Sequence, residues 1–122
     1  MHQEEFIMEA DTIFGKIIRR EIPATIVYET ETVLAFKDIY PKAPTHILII
    51  PKKPISSVSA AVDQDKGVLG ELLLAAARIA EQVGVAKSGY RLVVNNGRDA
   101  GQAVDHLHVH LLGGRELQWP PG

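Results

Sequence analysis

The sequence contains no cysteine, which excludes disulfides, thiol catalysis and every cysteine-bearing zinc site. It also lacks a surplus of either charge: 13 Lys and Arg face 15 Asp and Glu. That balance argues against a nucleic-acid partner and against a cationic helix at a membrane surface. No apolar run approaches the length of a membrane span. Met1-His2-Gln3-Glu4-Glu5 leads into no apolar stretch of the kind a signal peptide carries. A cytoplasmic protein is expected, one whose chemistry comes from His, Asp, Asn, Ser and backbone groups. Its 122 residues suit one domain with a single core. Residues 1–10 read as a flexible lead-in, with Phe6, Ile7 and Met8 able to dock, and residues 11–122 as the domain with a C-terminal tail.

Histidine is what the chain does have, in a particular place. Three of its five histidines alternate with aliphatic residues in His106-Leu107-His108-Val109-His110-Leu111. In a strand, residues two apart share a face, so three imidazoles would line one wall while Leu107, Val109 and Leu111 pack behind them. A helix would instead scatter successive histidines by ~200°. Imidazoles that close together disfavour one another's protonation, so at least one is expected to be neutral at neutral pH.

The rest of the chain reads as a mixed α and β domain. Asp11 or Thr12 caps a short helix whose Ile13, Phe14, Ile17 and Ile18 form an apolar stripe, ending among Arg19 and Arg20. Residues 26–29 and 33–37 read as a hairpin, and residues 46–51 as a strand buried on both faces. A long helix runs from a cap at Asp63 or Asp65 through Val83, with Val68, Leu69, Leu72, Leu73, Ala76, Ile79, Ala80 and Val83 at helical spacing and Gly84 at its C-terminal cap. Residues 90–95 form a fourth strand, and the loop of residues 96–104 delivers the chain to the histidines. Its glycines let backbone N–H groups approach an anion closely. Trp119, followed by two prolines, has to pack on its own domain or on a second subunit.

If the strand carrying His46 lies beside the histidine strand, four imidazoles surround one pocket. Two chemistries compete for them. Zinc would use neutral imidazoles, but the chain has no HExxH motif and no cysteine partner, so no metal and no other cofactor is expected. The alternative is nucleophilic attack by an imidazole nitrogen on phosphorus, which replaces one difficult displacement by two easier ones. The neighbouring histidines and loop N–H groups would carry the charge on the phosphoryl oxygens.

The run His106 to Leu112 matches the HxHxHxx signature of the histidine triad (HIT) superfamily. Asp11 to Ile18, Ala43-Pro44-Thr45-His46, Ile50-Pro51-Lys52-Lys53, Gly113-Gly114-Arg115 and Trp119-Pro120-Pro121-Gly122 resemble its Hint branch, the nucleoside phosphoramidases. The resemblance implies an α+β fold, with a five-stranded, mainly antiparallel sheet, one long helix and a short N-terminal helix, assembled as a homodimer through the long helix and the strand at residues 90–95.

The resemblance also implies an activity: hydrolysis of purine nucleoside 5′-phosphoramidates, such as adenosine 5′-monophosphoramidate, to nucleoside monophosphate and amine. His108 would be the nucleophile, passing through a nucleotidyl-histidine intermediate, with His106, His110 and His46 supporting it. Asn95 and the Gly101-Gln102 backbone match phosphate-contacting positions, with Ala103 and Val104 beside them. Asp38 matches the acid that binds the ribose hydroxyls, and Ile13, Phe14, Ile22, Phe36, Ile39 and Leu48 surround the base. Trp119 lies on the leaving-group side across the dimer.

Four positions depart from that family pattern. Ala103 replaces a Ser or Thr whose hydroxyl contacts the phosphate or leaving group, which predicts slower turnover or an altered leaving-group preference. Pro54 replaces a histidine, and Asp105 and Arg98 also depart from the pattern. A dinucleoside polyphosphate hydrolase, and a purine nucleotide-binding or scaffold protein with weak catalysis, are the alternatives.

Overall fold

The computed structural model describes residues 11–122; the lead-in read at residues 1–10 lies outside the described residues. Helix α1 spans Ile13–Ile18 and α2 spans Lys66–Gln82. The strands are β1 (Ile26–Glu29), β2 (Val33–Lys37), β3 (Thr45–Pro51), β4 (Tyr90–Val93) and β5 (Val109–Gly113). They form one sheet in the order β1-β2-β3-β5-β4, antiparallel at every pairing. The α+β architecture expected from the sequence is therefore present, with its five strands, long helix and short helix. No helix among the described residues is long and apolar enough to cross a membrane.

The sheet is covered on both sides, and strand alternation decides which residue serves which side. Val33, Ala35, Ile47, Ile49, Val109 and Leu111 join Leu72, Ala76, Ile79 and Ala80 of α2 in the larger core. Leu34, Phe36, Leu48 and Ile50 turn the other way and meet Phe14 and Ile17 of α1. β3 lies between the two layers, which explains its unbroken apolar run. Helix α1 begins where Thr12 Oγ1 accepts the Gly15 N–H, and burying Phe14 and Ile17 contributes about 1.5–3 kcal/mol for each side chain. Six residues would not hold as an isolated helix; the sheet holds them.

Four sequence readings need correction. The histidine strand begins only at Val109, so His106, at the end of a bend, and His108 precede it outside the ladder. Pro51 explains this: the β3–β5 register pairs Ile49 with Val109, and two residues further on Leu107 would face Pro51, which has no N–H to give. The Leu107 N–H goes to the Ile55 carbonyl at 2.7 Å. Strand β4 stops at Val93, leaving Asn95 in the loop. Asp65 is the N-cap residue of α2, but its side chain bonds to no N–H of that helix; the carboxylate accepts from Lys53 Nζ at 2.6 Å and from the Val62 N–H at 2.9 Å instead. Within the α2 stripe Leu73 is 55% exposed, as is its neighbour Leu74 at 57%, because the core takes positions 72, 76, 79 and 80 while Leu73 lies one residue round the helix.

Candidate active site

His46 comes from β3 and His110 from β5, and their cross-strand register brings them to the same α1-facing side of the sheet. Their imidazoles are in contact, with His46 Nε2 3.0 Å from His110 Nδ1. The ring of His110 lies 5.1 Å, centroid to centroid, from that of His108. Phe14 of α1 stands edge-on to His108 at 5.1 Å and to His106 at 6.1 Å. The wall therefore holds His46, His110 and His108 in sequence, braced by an aromatic ring. His106 turns its ring away, towards Pro51.

Hydrogen-bond partners assign the tautomers. The Lys42 N–H donates to His46 Nδ1 at 3.0 Å, so in the neutral ring the proton sits on Nε2, which donates to His110 Nδ1. His110 then carries its own proton on Nε2. A carbonyl can only accept, so His106 Nε2–H donates to the Pro51 carbonyl at 2.8 Å, and His108 Nδ1–H donates to the His106 carbonyl at 2.7 Å. The Nε2 of His108 is left with an in-plane lone pair. An imidazole oriented in this way can act as a nucleophile or a base.

Burial keeps the neighbouring rings neutral. It lowers His110 to about 4, with repulsion from His108 and His46 adding and Asp38 opposing. Burial also lowers His106, against the raising effect of its bond to Pro51, and His46, against the raising effect of Asp38.

Asp38 lies at the rim. One carboxylate oxygen accepts the Tyr40 N–H at 2.8 Å and the other is 3.4 Å from His46 Nε2. Asp38, His46 and His110 place three potential ligand atoms within 4.8 Å of one another. The Lys42 amide opposes a cation there: ligation through His46 Nε2 would move the imidazole proton to Nδ1, where it would face another N–H.

Phe14, Phe36 and Leu48 share one buried cluster, with Ile22 and Val104 packed against it. Ile13 and Ile39 are 51% and 79% exposed and form no part of that core. In the loop, Gly101 N–H and Gln102 N–H already donate to the carbonyls of Arg98 and Gly97. The Gln102 side chain accepts from Gly97 N–H and donates to the Ser56 and Val104 carbonyls. Asn95 Nδ2 donates to the Ala100 carbonyl at 2.8 Å. These groups brace the loop from within, whereas the Ala103 and Val104 amides donate to no backbone carbonyl among the described residues. Trp119 stays 78% exposed, with the Arg91 guanidinium 6.0 Å from its ring.

Reading the sequence had missed three backbone groups, the Lys42 N–H and the His106 and Pro51 carbonyls, because backbone partners leave no residue signature. The two prolines flanking Lys42, Pro41 and Pro44, were the one available hint of a shaped loop.

The sequence profile of the HIT domain matches residues 19–117. The chain belongs to the HIT family. An uncharacterised HIT-like protein of Synechocystis sp. is 57% identical over 115 residues, covering 94% of this chain and 100% of that protein. Among solved structures, a HIT family hydrolase from Legionella pneumophila is 49% identical with a TM-score of 0.90, over 92% of this chain and 100% of that one. A histidine triad nucleotide-binding protein from Candida albicans is 33% identical with a TM-score of 0.76, over 90% and 83% of the two chains. As a HIT protein, this chain has the triad at His106, His108 and His110, with His46 joining from the neighbouring strand.

Proposed function

We propose that this HIT protein hydrolyses purine nucleoside 5′-phosphoramidates, giving nucleoside monophosphate and free amine. The observation that carries the reading is the free lone pair on His108 Nε2, which follows from the Nδ1–H bond to the His106 carbonyl. His108 attacks the α-phosphorus, the phosphorus–nitrogen bond breaks, and the departing amine takes a proton from solvent. The ring bonded to phosphorus is then cationic, and its Nδ1–H bond to a carbonyl becomes charge-assisted and stronger. His110 Nε2–H, its tautomer held through His46 and Lys42, donates to a phosphoryl oxygen. Water attacks the phosphoimidazole, releases nucleoside monophosphate, returns a proton to solvent and frees His108.

Substrate placement follows the same geometry. Asp38 accepts the ribose hydroxyls, a role for which an acceptor-only group is suited. The base lies against the surface flanked by Ile13 and Ile39 over the Phe14, Phe36 and Leu48 cluster, and the Ala103 and Val104 amides face the phosphate. The Legionella relative named a hydrolase and the Candida relative named a nucleotide-binding protein support both halves of the reading.

A homodimer completes it. Leu73, Leu74 and Val94 are exposed and β4 is an edge strand, so a C2 pairing through β4 and α2 would cover apolar surface and an open edge together. Light scattering should give twice the chain mass.

The experiment for the activity is intact-mass analysis of wild type and His108→Ala, quenched during reaction with adenosine 5′-phosphoramidate. A transient nucleotidyl adduct on wild type alone, with AMP released, is the expected result. Nucleotide binding without adduct or AMP in either protein would overturn the reading.

A further inference from the structure

Gly113 ends β5, and the two residues after it close on the loop that orients His46. A Cβ on Gly114 would lie 2.9 Å from Pro44 Cβ, so the chain here runs against that loop. Arg115 Nη2 then donates to the Lys42 carbonyl at 3.0 Å, and Nη1 to the Glu116 carbonyl at 3.0 Å. Both bonds from this guanidinium go to carbonyls, and a charged donor makes each stronger than an amide would. Arg115 itself is exposed, so removing its side chain leaves the core intact.

Lys42 is held at both ends. Its N–H donates to His46 Nδ1 at 3.0 Å, and its carbonyl accepts from Arg115. The rest of the loop at residues 39–44 has few ties among the described residues. Tyr40 N–H goes to Asp38, Lys42 Nζ returns to the Tyr40 carbonyl, and Pro41 and Pro44 have no N–H to give. Ala43 is its one buried residue. The contacts therefore close a circuit, from His110 along β5 to Arg115, through Lys42 to His46, and from His46 Nε2 back to His110 Nδ1 at 3.0 Å.

The circuit decides the place of a proton. With the Lys42 amide turned away, water could either donate to His46 Nδ1 or accept from it. The proton could then sit on Nδ1, and His46 Nε2 would accept from His110 Nδ1–H. His110 Nε2 would present a lone pair to a phosphoryl oxygen in place of an N–H. Asp38 Oδ2 lies 3.4 Å from His46 Nε2, too far to fix the tautomer by itself.

We infer that Arg115 is a positioning residue of the active site, holding Lys42 so that its amide keeps a proton on His110 Nε2. The tautomer stands on the hydrogen bonds alone; its effect on rate rests on the phosphoramidase reading.

The test uses Arg115→Met, which keeps a long stem without donors, and Arg115→Lys, which restores a donor. Long-range proton–nitrogen correlation spectra at neutral pH read which nitrogen of each imidazole carries hydrogen. Wild type should show His46 and His110 protonated at Nε2, Arg115→Met a mixture of tautomers at both, and Arg115→Lys a return towards wild type. With adenosine 5′-phosphoramidate, the single-turnover rate of nucleotidyl transfer to His108 should fall about two- to fivefold in Arg115→Met, the size expected for one water-exposed hydrogen bond. Affinity for AMP should not change. Wild-type tautomers in Arg115→Met, with or without a loss of stability in urea, would overturn the inference. Weaker AMP binding with wild-type tautomers would make Arg115 a phosphate contact and overturn it equally. Absence of turnover in wild type would overturn the phosphoramidase reading, while the spectra would still decide the role of Arg115.

Discussion

Acidification should unfold this protein through its buried imidazoles, and His110 carries the largest share that can be worked out. Its folded-state value of about 4 lies below the ordinary 6.5. As pH falls through 6.5 the unfolded chain takes up a proton that the folded chain refuses until about 4. Stability is therefore full above the unfolded value and lost as pH falls across that window. For one group with these values the loss between about pH 7 and about pH 5 is close to 2 kcal/mol, reduced to about 1–2 kcal/mol because the ring is only half-buried.

His46 and His106 are lowered by the same cause and add slope of the same sign. Asp38, His46 and His108 are the titratable groups facing His110. The assay is urea unfolding at a series of pH values and fixed protein concentration, comparing wild type with His110→Asn, whose amide oxygen still accepts from His46 Nε2. Removing the ring lowers stability at every pH, so the slope is what decides. The variant should lose stability with acid less steeply than wild type, by about 1–2 kcal/mol across the window. Equal slopes in the two proteins, or a wild type that gains stability on acidification, would refute the reasoning.

Three further outcomes are expected. Gly114 has φ +89 and a Cβ there would lie 2.9 Å from Pro44 Cβ, so Gly114→Ala should cost about 1–3 kcal/mol in chemical denaturation. Arg20 is the one non-glycine residue with positive φ among the described residues, at +64. Arg20→Gly should raise the unfolding free energy, by no more than about 1 kcal/mol, because the relief of left-handed strain exceeds the exposed ion pair with Glu29 that it removes. On the proposed reading Ala103→Ser would place a hydroxyl beside the reacting phosphate, and steady-state turnover of adenosine 5′-phosphoramidate should rise by about tenfold to a hundredfold; unchanged turnover would remove Ala103 as a rate determinant.

Local pattern carried most of the fold. The alternation of His106 to Leu111 placed Leu107, Val109 and Leu111 in the core, even though the strand itself starts late. The stop at Pro51 was written in the residue type but became visible only once β3 and β5 were known to be partners. Leu73 shows the limit of periodicity: a stripe of apolar residues says that a helix has an inner face, and only the packing partner says where that face ends. Asp65 shows the same for capping, since the carboxylate in the right position is held by Lys53 instead.

By itself, then, the sequence determined the strand and helix periods, the chemistry available without cysteine, and which four imidazoles had to be considered together. These are properties of side-chain type and spacing, which act within a few residues. The tertiary structure alone decided the direction of each proton. That direction depends on three backbone groups, the Lys42 N–H and the carbonyls of His106 and Pro51, and two of them come from distant or differently folded segments. Every residue carries the same N–H and C=O, so nothing in the residue letters distinguishes the ones that set the free lone pair on His108; only the path of the chain does.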